Sequence, residues 1–136
     1  MSKPRIYCDA NIYLDLFESR KDHFRDLGEF AYQLLKRTLD CEFDLIVSDW
    51  LLYELGKYVS EEKMTEFFSD YKQKNKIINI KYTGDDMKVA KHISPHFQDA
   101  LHQLLAKRGG AKYLVTRNVK DFDYDKELQI VFPENI

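Results

Sequence analysis

The chain has only two cysteines, Cys8 and Cys41, and neither belongs to a C-x-x-C pair. Two such residues are too few for a disulfide framework, so a reduced, cytoplasmic protein is the simplest expectation. Glycine and proline are also scarce, at five and three residues. No Gly/Ser/Pro run, low-complexity tract or internal repeat marks a linker, and a single domain over residues 1–136 is expected. No stretch approaches the ~20 consecutive apolar residues needed to cross a bilayer. The opening MSKPRIYCDANIY lacks the basic head, apolar run and small-residue cleavage site of a secretory signal. An excess of positive charge is missing too: 21 Lys and Arg stand against 23 Asp and Glu. That weighs against a partner bound through phosphates, which usually calls for a basic surplus. A carboxylate cluster built to hold a metal would itself lower the total, and basic residues can gather on one face without raising it.

What the chain does have is core material, at 44% hydrophobic and 14% aromatic residues, more than a disordered chain carries. Strands are expected at Arg5–Cys8, from Asp44 to Val47, Lys76 to Tyr82, Lys112 to Thr116 and Leu128 to Phe132. Between them, helical spacing of apolar residues predicts helices over Asn11 to Phe17, Asp22 to Leu39, and from a Ser48 cap through Tyr58. A further helix should begin at Ser60, although Lys63 leaves its capping box incomplete. Thr83 and Ser94 read as two more helix starts, with Pro95 suited to a first helical position and Gly109-Gly110 to a helix end. Short apolar strands alternating with helices predict the α/β class. The architecture expected is a three-layer α/β/α sandwich around a mostly parallel sheet of four to five strands.

In open parallel sheets, ligand sites form beyond the carboxyl ends of the strands. Asp9 directly follows the first strand, Glu54 lies in the helix after the second, and Asn118 and Asp121 lie just past the fourth. Asp99 falls early in the helix leading into that fourth strand. Hard oxygen donors of this kind suit Mg²⁺ or Mn²⁺, and such an ion can activate a water and stabilise charge on a phosphate. Each residue also has an ordinary reading. Asp9 can cap a helix, and Glu54 can be a solvated helix charge beside Leu51 and Tyr58. Asp99 would be favoured by the helix dipole alone, Asp121 can cap a turn, and Asn118 can take a left-handed turn conformation. His92, His96 and His102 have no nearby cysteine to complete a zinc set, and read as surface or capping residues. The aromatic residues Tyr53, Tyr58, Phe67, Phe68 and Tyr71 could offer a base-stacking platform, but their helical spacing points to core or a partner-facing surface.

Together these segments resemble the PIN-domain family of ribonucleases. IYCDANIYLDLF is similar to its first motif, a strand ending in Asp followed by a small residue and then Asn, Ser or Thr. VSDWLLYEL is similar to the second, a Ser near a strand end with Glu six positions on. FQDALHQLLAKRGGAKYLVTRNVKDF carries the closest likeness, and the motif order holds over nearly the whole chain. The resemblance implies Asp9, Glu54 and Asp99 as metal-binding catalytic acids, with Asn11 and Thr116 in support. It further implies endonucleolytic cleavage of RNA with Mg²⁺ or Mn²⁺, often by the toxin of a toxin–antitoxin pair and often as a homodimer. Family members often carry Asp where this chain has Asn118, so a fourth carboxylate would have to come from Asp121.

Three other functions stay in view. A haloacid-dehalogenase phosphatase would need an acid two positions after Asp9, where Asn11 cannot donate a proton in that role. A receiver domain would need a phosphorylatable Asp after the third strand, where Ile80-Lys81-Tyr82 stands. A catalytically silent PIN-like module binding RNA or a protein partner is the remaining alternative.

Overall fold

Short apolar runs become parallel strands in this chain because both faces of the sheet they form are covered. The computed structural model describes residues 3–21, 25–94, 96–122 and 126–136. Its strands are β1 (Arg5–Cys8), β2 (Asp44–Ser48), β3 (Ile77–Ile80), β4 (Tyr113–Val115) and β5 (Gln129–Val131). They form one sheet in the order β3-β2-β1-β4-β5, and every pairing is parallel. The helices are α1 (Ala10–Phe17), α2 (Leu27–Leu39), α3 (Asp49–Leu55), α4 (Glu61–Gln73), α5 (Gly84–Ile93) and α6 (Phe97–Arg108). Alternate residues of each central strand serve opposite cores. Ile6, Cys8, Leu45, Val47 and Val115 pack against residues of α1, α2 and α4, such as Tyr13, Leu34 and Phe68. Tyr7, Ile46 and Leu114 face the other way, onto Ala90, Leu101 and Leu105 of α5 and α6. The three-layer α/β/α architecture is thus present, with an all-parallel five-stranded sheet.

Local chemistry sets most helix ends as the sequence suggests. Ser48, Ser60 and Thr83 each accept a hydrogen bond from the third residue of their helix, and Thr83 with Asp86 closes a full capping box. Ser94 behaves differently from the expectation: it ends α5, and its hydroxyl accepts from the His96 backbone. His96 then precedes α6 with no side-chain cap, while Pro95 lies outside the described residues. The helix expected from Asp22 begins at Leu27 under an Asp26 cap, and Asp22 also lies outside the described residues. The helix after Ser48 stops at Leu55, short of Tyr58, where Gly56 follows as its cap.

The aromatic residues divide between two environments. Phe68 and Tyr71 are core, with the Tyr71 hydroxyl donating to the Leu35 carbonyl at 2.9 Å. Tyr53 and Tyr58 are exposed. Cys8 is buried, Cys41 is exposed, and both are free thiols. Among the described residues, no helix is long and apolar enough to cross a membrane.

The C-terminal end of α6 is fixed by the sheet. Arg5, which opens β1, donates to the Gly109 carbonyl at 2.9 Å, tying the end of α6 to the amino edge of the sheet. Twelve residues of helix then span about 18 Å and return the first turn of α6 to the carboxyl edge. Gly110 makes the turn after α6 with φ +77, a conformation that costs an L-residue roughly 1–2 kcal/mol. Gly84, by contrast, opens α5 with nothing within 4 Å of where a Cβ would stand. Gly110→Ala should therefore destabilise by about 1 kcal/mol or more, whereas Gly84→Ala should stabilise by about 0.4–1 kcal/mol. Urea denaturation midpoints of the two variants should move in opposite directions.

Candidate active site

At the carboxyl edge of the sheet, β1 ends in Cys8 and the chain turns directly into α1. Cys8 pairs with Val115, and the Asp9 N–H continues the ladder by donating to the Val115 carbonyl at 3.1 Å. Asp9 and Thr116 therefore stand side by side past the ends of neighbouring strands. The Thr116 hydroxyl donates to Asp9 Oδ2 at 2.6 Å, and Thr116 is fully buried. The other carboxyl oxygen, Oδ1, accepts the Ile12 backbone N–H at 3.3 Å as the cap of α1. The ordinary helix-capping role of Asp9 is thus real, and it accompanies a buried carboxyl.

Asp9, Asn11, Glu54 and Asp99 line one cleft of about 260 Å³, together with Arg20, Lys57, Tyr58 and His102. The acids reach it from three separate elements: the end of β1, the body of α3 and the first turn of α6. Burial pushes the Asp9 carboxyl up to about 6, against the hydrogen bonds from Thr116 and Ile12 and the pull of His102, with the Asp99 charge adding to the rise. Asp99 is also raised, first by burial and further by the charges of Asp121 and Glu54. Asp121 ends a 3-10 turn, Val119–Asp121, and is exposed rather than part of the cleft wall. Asn118 is exposed as well, with φ −109 rather than a left-handed value. Its backbone N–H donates to Thr116 Oγ1 at 3.0 Å. The Asn118 main chain is thus linked to the Asp9 carboxyl through Thr116. Arg117, between them, bonds to Glu134 at 2.6 Å and lies 3.5 Å from buried Asp15, which ties this turn to α1.

His102 is the residue that the sequence reading misplaced. It is 3% exposed, not a surface or capping residue. Its Nδ1 lies 2.6 Å from the Tyr7 hydroxyl, and its Nε2 is hydrogen-bonded to Glu54 Oε1. The Tyr7 hydroxyl also lies 2.7 Å from Ser48 Oγ. His92 and His96 are exposed, as expected.

By chemistry the donor set fits a hard divalent cation: carboxylate oxygens from Asp9, Glu54 and Asp99 share one cleft, and two of them are penalised as anions by burial. By position the set is not closed. Among the described residues, no three His, Cys, Asp or Glu side chains stand where they could hold a metal ion together.

Comparison with known proteins bears on the chemistry. The chain is similar to a ribonuclease. It is 25% identical over 142 aligned positions to ribonuclease VapC1 of Aquifex aeolicus (strain VF5), with 98% of this chain and 94% of that protein covered. No family model matches the chain.

The raised Asp9 carboxyl predicts a pH signature. An isolated Asp ionises near 3.9, so the favourable contribution of Asp9 to stability is complete below about 4 and is lost as pH rises through about 6. Asp9→Asn removes the buried charge. In chelator at pH 8 the variant should melt at least as high as the parent, by an amount worth no more than about 3 kcal/mol, and the gap should close toward pH 4. A variant that melts well below the parent at pH 8 would show that the bonds from Thr116 and Ile12 outweigh the cost of burial.

Proposed function

We propose that this protein is a divalent-metal-dependent endoribonuclease, with Asp9, Glu54 and Asp99 holding Mg²⁺ or Mn²⁺. The observation that carries the reading is that these three acids, mounted on separate elements, line one cleft at the carboxyl edge of a parallel sheet. The similarity to a ribonuclease across nearly the whole chain supports it. A bound ion would activate a water and stabilise negative charge on the phosphate. Thr116 holds Asp9 in place, and Asn11 lies on the cleft wall beside it. Asp121 joins the acids as an outer charge, through its effect on Asp99.

The same cleft carries the parts that RNA would touch. Lys57 and Arg20 bring positive charge to its wall, and exposed Tyr58 brings an aromatic face on which an unpaired base can stack. Arg20 is already engaged with Glu18 and Asp15, which leaves Lys57 as the better phosphate contact. A net charge of −2 is compatible with such binding, since a metal in the cleft would offset the acids that produce it. We extend the reading to a cytoplasmic toxin of a toxin–antitoxin pair, neutralised by a protein antitoxin and active as a homodimer.

Cleavage of a mixed RNA pool should require Mg²⁺ or Mn²⁺, and Asp9→Asn, Glu54→Gln and Asp99→Asn should each lower it by about 100-fold or more while the fold persists. Cleavage that survives exhaustive chelation would overturn the metal assignment. Metal-independent RNA binding with no cleavage under any condition would instead establish a silent PIN-like module. Lys57→Ala should weaken RNA binding uniformly across sequences and reduce the salt slope by about one, measured by fluorescence anisotropy from low to moderate salt. An unchanged slope would take Lys57 out of the phosphate path.

A further inference from the structure

The buried polar groups behind Glu54 form a chain in which each proton has an acceptor. Glu54 offers only acceptor oxygens when ionised, so the contact between its Oε1 and His102 Nε2 requires the proton on Nε2. The Nδ1 of a neutral ring is then an acceptor, and it takes the Tyr7 hydroxyl proton at 2.6 Å. The Tyr7 oxygen in turn accepts from the Ser48 hydroxyl at 2.7 Å, and Ser48 Oγ accepts the Leu51 backbone N–H at 3.0 Å. Every donor points one way, from the first turn of α3 through Ser48, Tyr7 and His102 to Glu54. With a doubly protonated ring the order reverses, and the Ser48 hydroxyl, then accepting from both Tyr7 and Leu51, has no acceptor for its own proton among the described residues.

The three supporting residues come from different places: Tyr7 from the middle of β1, Ser48 from the end of β2, and His102 from α6 one turn after Asp99. The ring of His102 also packs edge-on to that of Tyr7, 5.5 Å between centroids. Glu54 itself is partly exposed on a short helix, and a long side chain there would otherwise sample several rotamers.

We propose that His102, oriented by Tyr7 and Ser48, is a positioning residue that fixes Glu54 by one carboxylate oxygen and leaves the other for the cleft. The proposal rests on the metal-nuclease reading for its purpose, but the orientation of Glu54 does not depend on that reading. Outer partners of ligating carboxylates typically change metal affinity by about 10–100-fold, and an effect of that size is expected here. His102 also couples α6 to α3, so Asp99 and Glu54 keep a fixed spacing.

The test is Mn²⁺ titration calorimetry on the parent, His102→Leu, His102→Gln and Tyr7→Phe, each first checked by thermal melting. His102→Leu fills similar space without a donor and should weaken Mn²⁺ binding by about 10–100-fold. His102→Gln, with an amide N–H near the place of Nε2 and a carbonyl to accept from Tyr7, should stay within a few-fold of the parent. Tyr7→Phe, which removes only the hydroxyl, should fall between. Folded His102→Leu that binds Mn²⁺ as tightly as the parent would overturn the proposal.

The second arm uses no metal. Imidazole nitrogen NMR of the chelated parent should place the His102 proton on Nε2, facing Glu54, and Glu54→Gln should shift that signal. A ring protonated at Nδ1, or one indifferent to Glu54→Gln, would overturn the proposal. A parent that binds no Mn²⁺ but gives the expected nitrogen spectrum would defeat the metal-nuclease reading and leave the positioning of Glu54 standing.

Discussion

A carboxyl group taken out of water is costly unless bonds or an opposite charge compensate it, and Asp9 occupies that position at the end of the central strand. It is 6% exposed, with one oxygen on the Thr116 hydroxyl and the other on the Ile12 N–H. Those two neutral donors do not restore the carboxyl to its ordinary range, which remains pushed up to about 6 by burial. Much of the carboxyl edge is arranged around this group. Thr116 is placed by β4, its hydroxyl also receives the Asn118 N–H, and the following Arg117 is pinned between Asp15 and Glu134. An acid that is well held yet undercompensated is suited to receive a cation, because binding relieves a cost that folding has already incurred.

The sheet was legible from sequence because its information is local. A strand buried on both faces is a short, nearly unbroken apolar run, and Arg5–Cys8 and Asp44–Ser48 show that pattern directly. Asp9 was legible for a similar reason: a polar residue immediately after such a run must sit at a strand exit. Ser94 was misread because a serine directly followed by a proline looks like a helix cap, whereas the break between α5 and α6 uses its hydroxyl for the His96 N–H. Helix capping depends on φ and ψ of one residue, and composition alone does not fix them.

His102 was illegible for a different reason. Three histidines near one another in sequence look alike, and only packing against β1, ninety-five positions away, separates the buried one from the others. One signal was available. A tyrosine in the middle of an apolar central strand must find a partner for its hydroxyl, and Tyr7 is such a residue. Its face of the sheet is opposite to that of Ile6 and Cys8, which directs it to the helices bearing the third acid. The polar positions on the inner face of that helix were then a short list, with His102 one turn from Asp99.

Mounting the acids on three elements makes the cleft a property of the whole carboxyl edge rather than of any loop. Asp9 is carried by β1 and Glu54 by α3, while Asp99 is held at the far end of a helix anchored by Arg5 at the opposite edge of the sheet. Fraying of the first turn of α6, which has no side-chain cap, would move Asp99 away while leaving Asp9 and Glu54 in place. Local openings of this kind cost less than global unfolding. The uncapped turn is therefore a place where the site can open, and the His102 contacts one turn further along tie α6 to β1 and α3.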